Sequence, residues 1–335
     1  MTRIVGCFTS GTPLRGTRND MSHKSRRIAI IGQQDFGKAT LEAFLARGDI
    51  VAGVFCAPDK PGARPDALRL AAEQVGIPVF QPNSLKTEDA RETLRKLDVE
   101  LGVMAFVLQF VPQDFVNIPR HGMIQYHPSL LPRHRGPSSI NWPIIHGDTV
   151  TGLTIFRPTD GLDEGPVILQ RDTPIGPDDT LGTVYFDRLF PMGVAALLEA
   201  ADLVVSGNAP RLIQDESVAS YEGWCRAAEA RINWHSHVDQ VYNLIRGCNP
   251  APGAWTLFKG KKLQLFDARK HRSRTFSEVR GKVGSVTAVD GQGMLVMSQG
   301  GQIEVLKVRY DDGKKVSAIQ FCADCGVTPQ TLLGE

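Results

Sequence analysis

Gln125 and His127 stand two apart in GMIQYHPSLLPRHRG (residues 122–136), just before a proline and a run of turn residues. On a β-strand such a pair projects to one face while Tyr126 projects to the other, so an amide and an imidazole would meet one reactant. Pro128 cannot continue ladder bonding, which predicts His127 at the carboxyl end of a buried strand. Further on, RPTDGLDEGPVI sets Asp160 and Asp163 in a glycine-containing turn between two apolar runs. An imidazole, a carboxylate and an amide are the equipment for attack on a carbonyl carbon. The first donates to developing charge, the second orients it or takes a proton from the nucleophile, and the third binds an oxyanion. Each residue also has a plainer reading, since a histidine at a strand end is commonly structural and Asp with Gly is ordinary turn chemistry. The functional reading requires the turn to return Asp163 to the sheet edge where His127 ends. No Ser or Cys sits in a G-x-S-x-G elbow, so direct acyl transfer to water or an amine is favoured over a covalent acyl-enzyme.

The elements that must position these residues begin at Arg27. RRIAIIG, IVAGVF, PVF and LGVMAFV read as strands, separated by the amphipathic runs DFGKATLEAFLARGD, PDALRLAAEQVG and TEDARETLRKLD. Continuous apolar strands alternating with helices predict an α/β fold, a doubly wound, mostly parallel sheet covered on both faces. Ligands of such sheets bind beyond the carboxyl ends of the strands. The first strand ends in IGQQDFG, not G-x-G-x-x-G, which disfavours a nicotinamide cofactor. After GMIQYHP the pattern gives a helix at SSINWPIIHGD, strands at TGLTIFRP and PVILQRDTPI, and one long helix from Thr180 to Val205.

From Gly253 the signals change to short strands with Gly-rich turns: AWTLF, KLQLF, KVGSVTAV, GMLVMS, QIEVLKVRY and KVSAIQF. They predict a small open β-barrel, OB-like. The domain reading is therefore a disordered polar extension over 1–26, a catalytic domain over 27–206, a linker over 207–235 and a β-barrel domain over 236–335. Met21 directly precedes the first strand, so translation starting there is an open alternative to Met1.

Composition narrows the class. No run approaches 18 consecutive apolar residues and the N-terminus lacks the apolar block of a secretory signal, so no membrane span and a cytoplasmic location are the expectations. Six cysteines in 335 residues form no dense framework, and the C-x-x-C of Cys322 and Cys325 has no second ligand pair; no metal is expected. Charge is uneven. Residues 226–335 carry 16 Lys plus Arg against 10 Asp plus Glu, the reverse of the preceding segment, which makes the C-terminal domain a candidate face for an anionic partner.

HPSLLPRHRG (127–136), the following INWPIIHGD, and DGLDEG together resemble the signature of the formyltransferases and hydrolases that use 10-formyltetrahydrofolate. The resemblance runs from about Arg27 to Phe321, and the motifs in order are more specific than any one of them. It implies a doubly wound N-terminal domain with a small open barrel behind it, with His127 as the catalytic imidazole and Asp163 as the essential carboxylate. By the same resemblance the formyl donor 10-formyltetrahydrofolate would lie against Gln109, Phe110 and Val111, with Ser129, Leu130, Leu131 and Pro132 on the other side and Asp160 nearby. Many of the transferases carry asparagine where this chain has Gln125. The added methylene changes the amide's reach by about an ångström, and a misplacement of that size can cost roughly a hundredfold in rate.

The formyl acceptor divides the family. PDKPGARPDALRLAAE, RHGMIQYHPSLLPRHRGPSSINW and INWHSHVDQVYNLIRG look closest to the hydrolase domain of formyltetrahydrofolate dehydrogenase. The tRNA enzymes resemble one another in a long basic loop after the second strand, where CAPDKPGARPDALRLAAE is short, and fewer phosphate contacts mean weaker RNA binding. KGKK (259–262) and RKHRSR (269–274) argue the other way, toward a tRNA acceptor met through the C-terminal domain. A sugar-nucleotide acceptor and a folate-binding protein with catalysis impaired at Gln125 are the further alternatives.

Overall fold

The computed structural model describes residues 25–273 and 281–334. All but the last two residues of the expected N-terminal extension, Met21 included, lie outside the described residues, as do Cys7 and Arg274 of the basic run.

The N-terminal half is built on one seven-stranded sheet of order β3-β2-β1-β4-β5-β6-β7. β1 (Arg27–Gly32), β2 (Ile50–Phe55), β3 (Val79–Phe80), β4 (Leu101–Ala105) and β5 (Met123–His127) are parallel; β6 (Val150–Phe156) and β7 (Val167–Pro174) run antiparallel. Apart from two-residue β3, the parallel strands are almost wholly buried, which is why they read as unbroken apolar runs. α1 (Gln34–Arg47), α2 (Ala67–Gln74) and α7 (Phe190–Val205) cover one face. α3 (Glu88–Lys96) and α4 (Gln113–Val116) cover the other. Strand order reverses at β1 and β4, and there Gly32 has no room for a side chain: a Cβ would come 2.1 Å from the Ala105 carbonyl oxygen.

The long helix expected over 180–205 is interrupted. α6 (Leu181–Val184) passes through a π-helical turn, Tyr185–Leu189, before α7 begins. Pro191 supplies the reason, because it lacks an N–H for Asp187 and its ring crowds that carbonyl, so the ladder widens ahead of it. The helix α5 (Asn141–His146) appears where expected and ends at Gly147, φ +82°.

Among the described residues, two four-stranded antiparallel sheets make the C-terminal unit, with orders β15-β14-β9-β8 and β10-β13-β12-β11. The strands are β8 (Ala254–Phe258), β9 (Lys261–Leu265), β10 (Ala268–Arg272), β11 (Val286–Val289), β12 (Met294–Ser298), β13 (Gly301–Val305), β14 (Lys307–Tyr310) and β15 (Lys315–Ser317). They enclose a core that includes Trp234, Phe258, Leu265, Ile303 and Phe321, together with α8 (Val238–Gly247). Three local readings change. QIEVLKVRY is two strands, with the chain crossing from one sheet to the other at Leu306. The basic run at 268–272 is itself a strand. KVSAIQF is strand only to Ser317, whose hydroxyl then caps α9 (Ala318–Cys325) by accepting from Gln320 N–H at 3.2 Å. The C-x-x-C therefore lies on a helix, with Cys322 buried and its thiol pushed up to about 11 by burial and by Cys325. A thiol held neutral is a poor metal ligand or redox nucleophile near neutral pH.

The two halves meet where α8 packs on α5. Asn141 donates to the carbonyls of Gly247 and Ala251, and buried Arg246 donates to those of Gly176 and Asp179. Among the described residues, no helix is long and apolar enough to cross a membrane.

Candidate active site

β5 ends as its sequence predicts. Gln125 pairs in register with Phe156 and His127 with Thr154 of β6, and the alternation leaves Gln125 half-buried while Tyr126, facing the other way, stacks on Phe36 at 4.4 Å between centroids. His127 is only 5% exposed. Its Nε2 lies 2.9 Å from the carbonyl oxygen of His134. A carbonyl can only accept, so Nε2 carries a proton and Nδ1 is the ring nitrogen left for chemistry. That Nδ1 faces Asp163 Oδ2 at 3.6 Å.

Asp163 reaches this position because the chain between β6 and β7 doubles back. Gly165 makes the fold possible, since a Cβ there would lie 1.7 Å from the Arg157 carbonyl oxygen. Asp163 itself takes the left-handed conformation, φ +56°, which Asp tolerates better than most residues. Its Oδ2 accepts the Gly136 N–H at 2.9 Å. Gly136 is also in the left-handed region, φ +93°, and a Cβ on it would meet the Glu222 carbonyl oxygen at 2.5 Å. The segment from His134 to Gly136 thus holds both catalytic candidates, one through a carbonyl and the other through an amide. The motif was visible in the sequence, but no role was legible for His134 or Gly136, because both act through the backbone.

Gln125, His127 and Asp163 share one cavity of about 740 Å³. Its wall includes Gln109, Phe110 and Val111, with Asp160 in the turn that carries Asp163. Gln109 turns its amide to the Pro82 carbonyl at 3.2 Å, and the exposed Phe110 ring lies under the Lys86 ammonium at 4.6 Å. Ser129, Leu130, Leu131 and Pro132 lie outside the cavity lining. The Ser129 hydroxyl donates to the Arg133 carbonyl at 2.7 Å, and Leu131 N–H donates to Thr154 Oγ1 at 3.1 Å, so this segment supports β5 and β6 instead of facing the cavity. Tyr185 and Phe186 of the π-helical turn, absent from the sequence-level site, complete the apolar wall.

Models of two domains match this chain: the formyl transferase domain over residues 26–201 and the formyl transferase C-terminal domain over 225–326. The chain belongs to the formyl transferase family. It is 40% identical over 308 residues to cytosolic 10-formyltetrahydrofolate dehydrogenase of Mus musculus, a match covering 88% of this chain and 34% of that protein. The chain therefore spans about a third of the length of that relative and of others like it. It is 34% identical over 312 residues to methionyl-tRNA formyltransferase of Geobacter metallireducens, covering 92% of this chain and 98% of that one. The crystal structure of HypX from Aquifex aeolicus in complex with tetrahydrofolic acid has the same fold, with TM-score 0.65 and 18% identity over 90% of this chain and 47% of that one.

Among the described residues, one grouping near the site has metal-ligand spacing: His134, His146 and Glu222, whose donor atoms lie within 4.8 Å of one another. Both ring nitrogens of His134 are already engaged, Nδ1 by Glu222 and Nε2 by Asp148, each at 3.1 Å. The grouping reads as a hydrogen-bonded anchor for the loop rather than a ligand set.

Proposed function

We propose that this protein cleaves the formamide of 10-formyltetrahydrofolate and passes the formyl group to water or an amine, as an enzyme of one-carbon metabolism in the cytoplasm. The reading is carried by the His127–Asp163 pair, buried at 3.6 Å on the floor of a cavity of suitable size for a folate headgroup. Its apolar wall suits a flat heteroaromatic donor, and Gln125, His127 and Asp163 supply polar groups to the same cavity.

In this reading the nucleophile attacks the formyl carbon, the carbonyl oxygen becomes an oxyanion, and collapse releases the folate nitrogen. One proton leaves the nucleophile and one reaches the departing nitrogen, so the step is balanced without a metal or redox partner. Asp163, held by the Gly136 N–H, takes the proton from the nucleophile. Asp163 passes that proton to His127 Nδ1, 3.6 Å away, and the imidazolium so formed, its Nε2–H committed to the His134 carbonyl, donates from Nδ1 to the oxyanion and on collapse gives the proton to the departing nitrogen. Gln125 lines the same cavity and supplies a second donor to the oxyanion.

The test is turnover of 10-formyltetrahydrofolate with and without methionyl-tRNA, following tetrahydrofolate, formate and formylmethionyl-tRNA. Tetrahydrofolate with formate alone supports hydrolysis. No turnover in either mixture removes the enzymatic reading.

A second reading, transfer to methionyl-tRNA, is favoured by the alignment over 98% of a methionyl-tRNA formyltransferase. The basic strand β10 adds to it only in part. Lys270 and Arg272 both bond to Asp239, at 3.0 and 2.9 Å, which leaves less charge for phosphates. Formylmethionyl-tRNA in the same assay would decide for it.

A further inference from the structure

We propose that Gln214, in the connector between the two halves, is a positioning residue for the His127–Asp163 pair; the proposal rests on the reading of that pair as catalytic. Gln214 is buried at 7% exposure, and its amide is used in full. Nε2 donates to the carbonyls of Asp163 and Gly165, both at 2.8 Å. Oε1 accepts from Arg135 Nε at 3.2 Å and from its NH2 at 2.8 Å.

One amide therefore touches the two structures that set the pair. On one side it grips the backbone of Asp163, whose left-handed conformation needs an external hold. On the other it holds the side chain of Arg135, the residue between His134, whose carbonyl fixes His127 Nε2, and Gly136, whose N–H fixes Asp163 Oδ2. The Arg135 side chain is fully buried and is completed by Glu216 and the Tyr221 hydroxyl, both from the same connector. Backbone bonds close the arrangement: Arg135 N–H donates to the Ser220 carbonyl at 2.9 Å, and Glu222 N–H to that of Arg135 at 3.1 Å.

The geometric consequence is that His127 and Asp163, brought from separate loops, share a support that neither loop contains. The 3.6 Å between them is longer than a hydrogen bond, so no direct bond locks the pair and its separation follows the loops that carry it. A shift of about 1 Å in either loop is enough to cost roughly a hundredfold in rate.

Two variants test this. Gln214→Glu keeps size and the acceptor for Arg135 but replaces the amide donor with a carboxylate oxygen that cannot bond the Asp163 and Gly165 carbonyls. Gln214→Met removes the hydrogen bonds without burying a charge. Both are expected to lower kcat for 10-formyltetrahydrofolate cleavage by about 30-fold or more, with KM and folate binding within about twofold of wild type. Ile213→Ala, one residue away and solvent-facing, is expected to leave kcat unchanged. In parallel, 15N NMR of the His127 ring reads the Nε2–H tautomer in the wild type and a mixed or altered signal in the variants. Folded variants with wild-type kcat, or a loss confined to KM, would overturn the proposal. Should the wild type itself turn over no formyl folate, the functional reading fails while the NMR comparison still decides the positioning claim: an unchanged His127 signal in both variants refutes it.

Discussion

Asp163→Asn isolates charge from shape. Asp163 Oδ2 both accepts the Gly136 N–H at 2.9 Å and faces His127 Nδ1 at 3.6 Å. An asparagine with its oxygen in that place keeps the hydrogen bond and tolerates the left-handed backbone, so the turn persists and only the negative charge is lost. Two unit charges about 4 Å apart interact by about 4 kcal/mol at an effective dielectric of 20, and the opening of the cavity to water lowers this toward about 2 kcal/mol. At 1.36 kcal/mol per tenfold, kcat should fall by about 30- to 1,000-fold. Proton removal from the nucleophile is lost as well, which pushes the result to the upper end of that range. Donor binding does not depend on this charge in the proposed step, so KM should hardly move. The assay is steady-state formation of tetrahydrofolate from 10-formyltetrahydrofolate, with folate affinity measured by calorimetry and folding checked by thermal melting. A folded variant whose kcat stays within threefold of wild type, or whose loss lies wholly in KM, would refute the role assigned to the carboxylate.

Gln125→Ala removes the second oxyanion donor and should lower kcat by about 10²- to 10³-fold, with folate binding retained; a wild-type rate would exclude Gln125 from the chemistry. Gly193→Ala on α7 places a methyl 2.5 Å from Tyr126 Cε2 and 3.1 Å from the Phe36 ring, directly behind β5. Overpacking there should cost about 1–3 kcal/mol, seen as a lower Tm, and should lower kcat by displacing the strand that carries Gln125 and His127. Hydrogen bonds from Arg135 hold the Glu216 carboxyl below the usual carboxylate range. A depressed folded value means its contribution is present above the unfolded value of about 4.3 and is lost as pH falls through the folded one. The Tm difference between wild type and Glu216→Gln should therefore be present at neutral pH and vanish in acid; a difference independent of pH would contradict the ion pair.

The end of β5 and the turn that carries Asp163 were legible because each is fixed locally, whereas the π-helical turn at Tyr185–Leu189, which lines the cavity, was read as continuous helix. The alternation around Tyr126 and the stop at Pro128 place two side chains without knowledge of the rest of the chain. Misread elements were those in which local signals competed. KVSAIQF is rich in β-branched and aromatic residues, yet its buried positions Ala318, Phe321 and Cys322 follow helical spacing. ARKHR has too few apolar residues to register as a strand, and its pairing with β13 supplies the order its own side chains do not. The connector was opaque for a different reason. It carries no period at all, and Gln214 finds its partners 51 and 79 residues away.

That distance bears on how the site works. His127 and Asp163 are each held by backbone groups of one short loop, and that loop is braced by side chains from the connector, so the pair is rigid before any reactant arrives. Gln125 stands apart from this network: it lines the cavity from a half-buried position on a strand whose backbone is fixed. Its longer side chain has more rotamers than asparagine would at the same site, and ordering it at the oxyanion costs conformational entropy that a bound acceptor can offset by packing against it. Acceptor choice in this protein should then be read in kcat and not in donor affinity, and comparing Gln125→Asn with wild type on water and on methionyl-tRNA tests that. Equal changes for the two acceptors would show that Gln125 sets rate alone, whereas unequal changes would make it the residue through which the acceptor is selected.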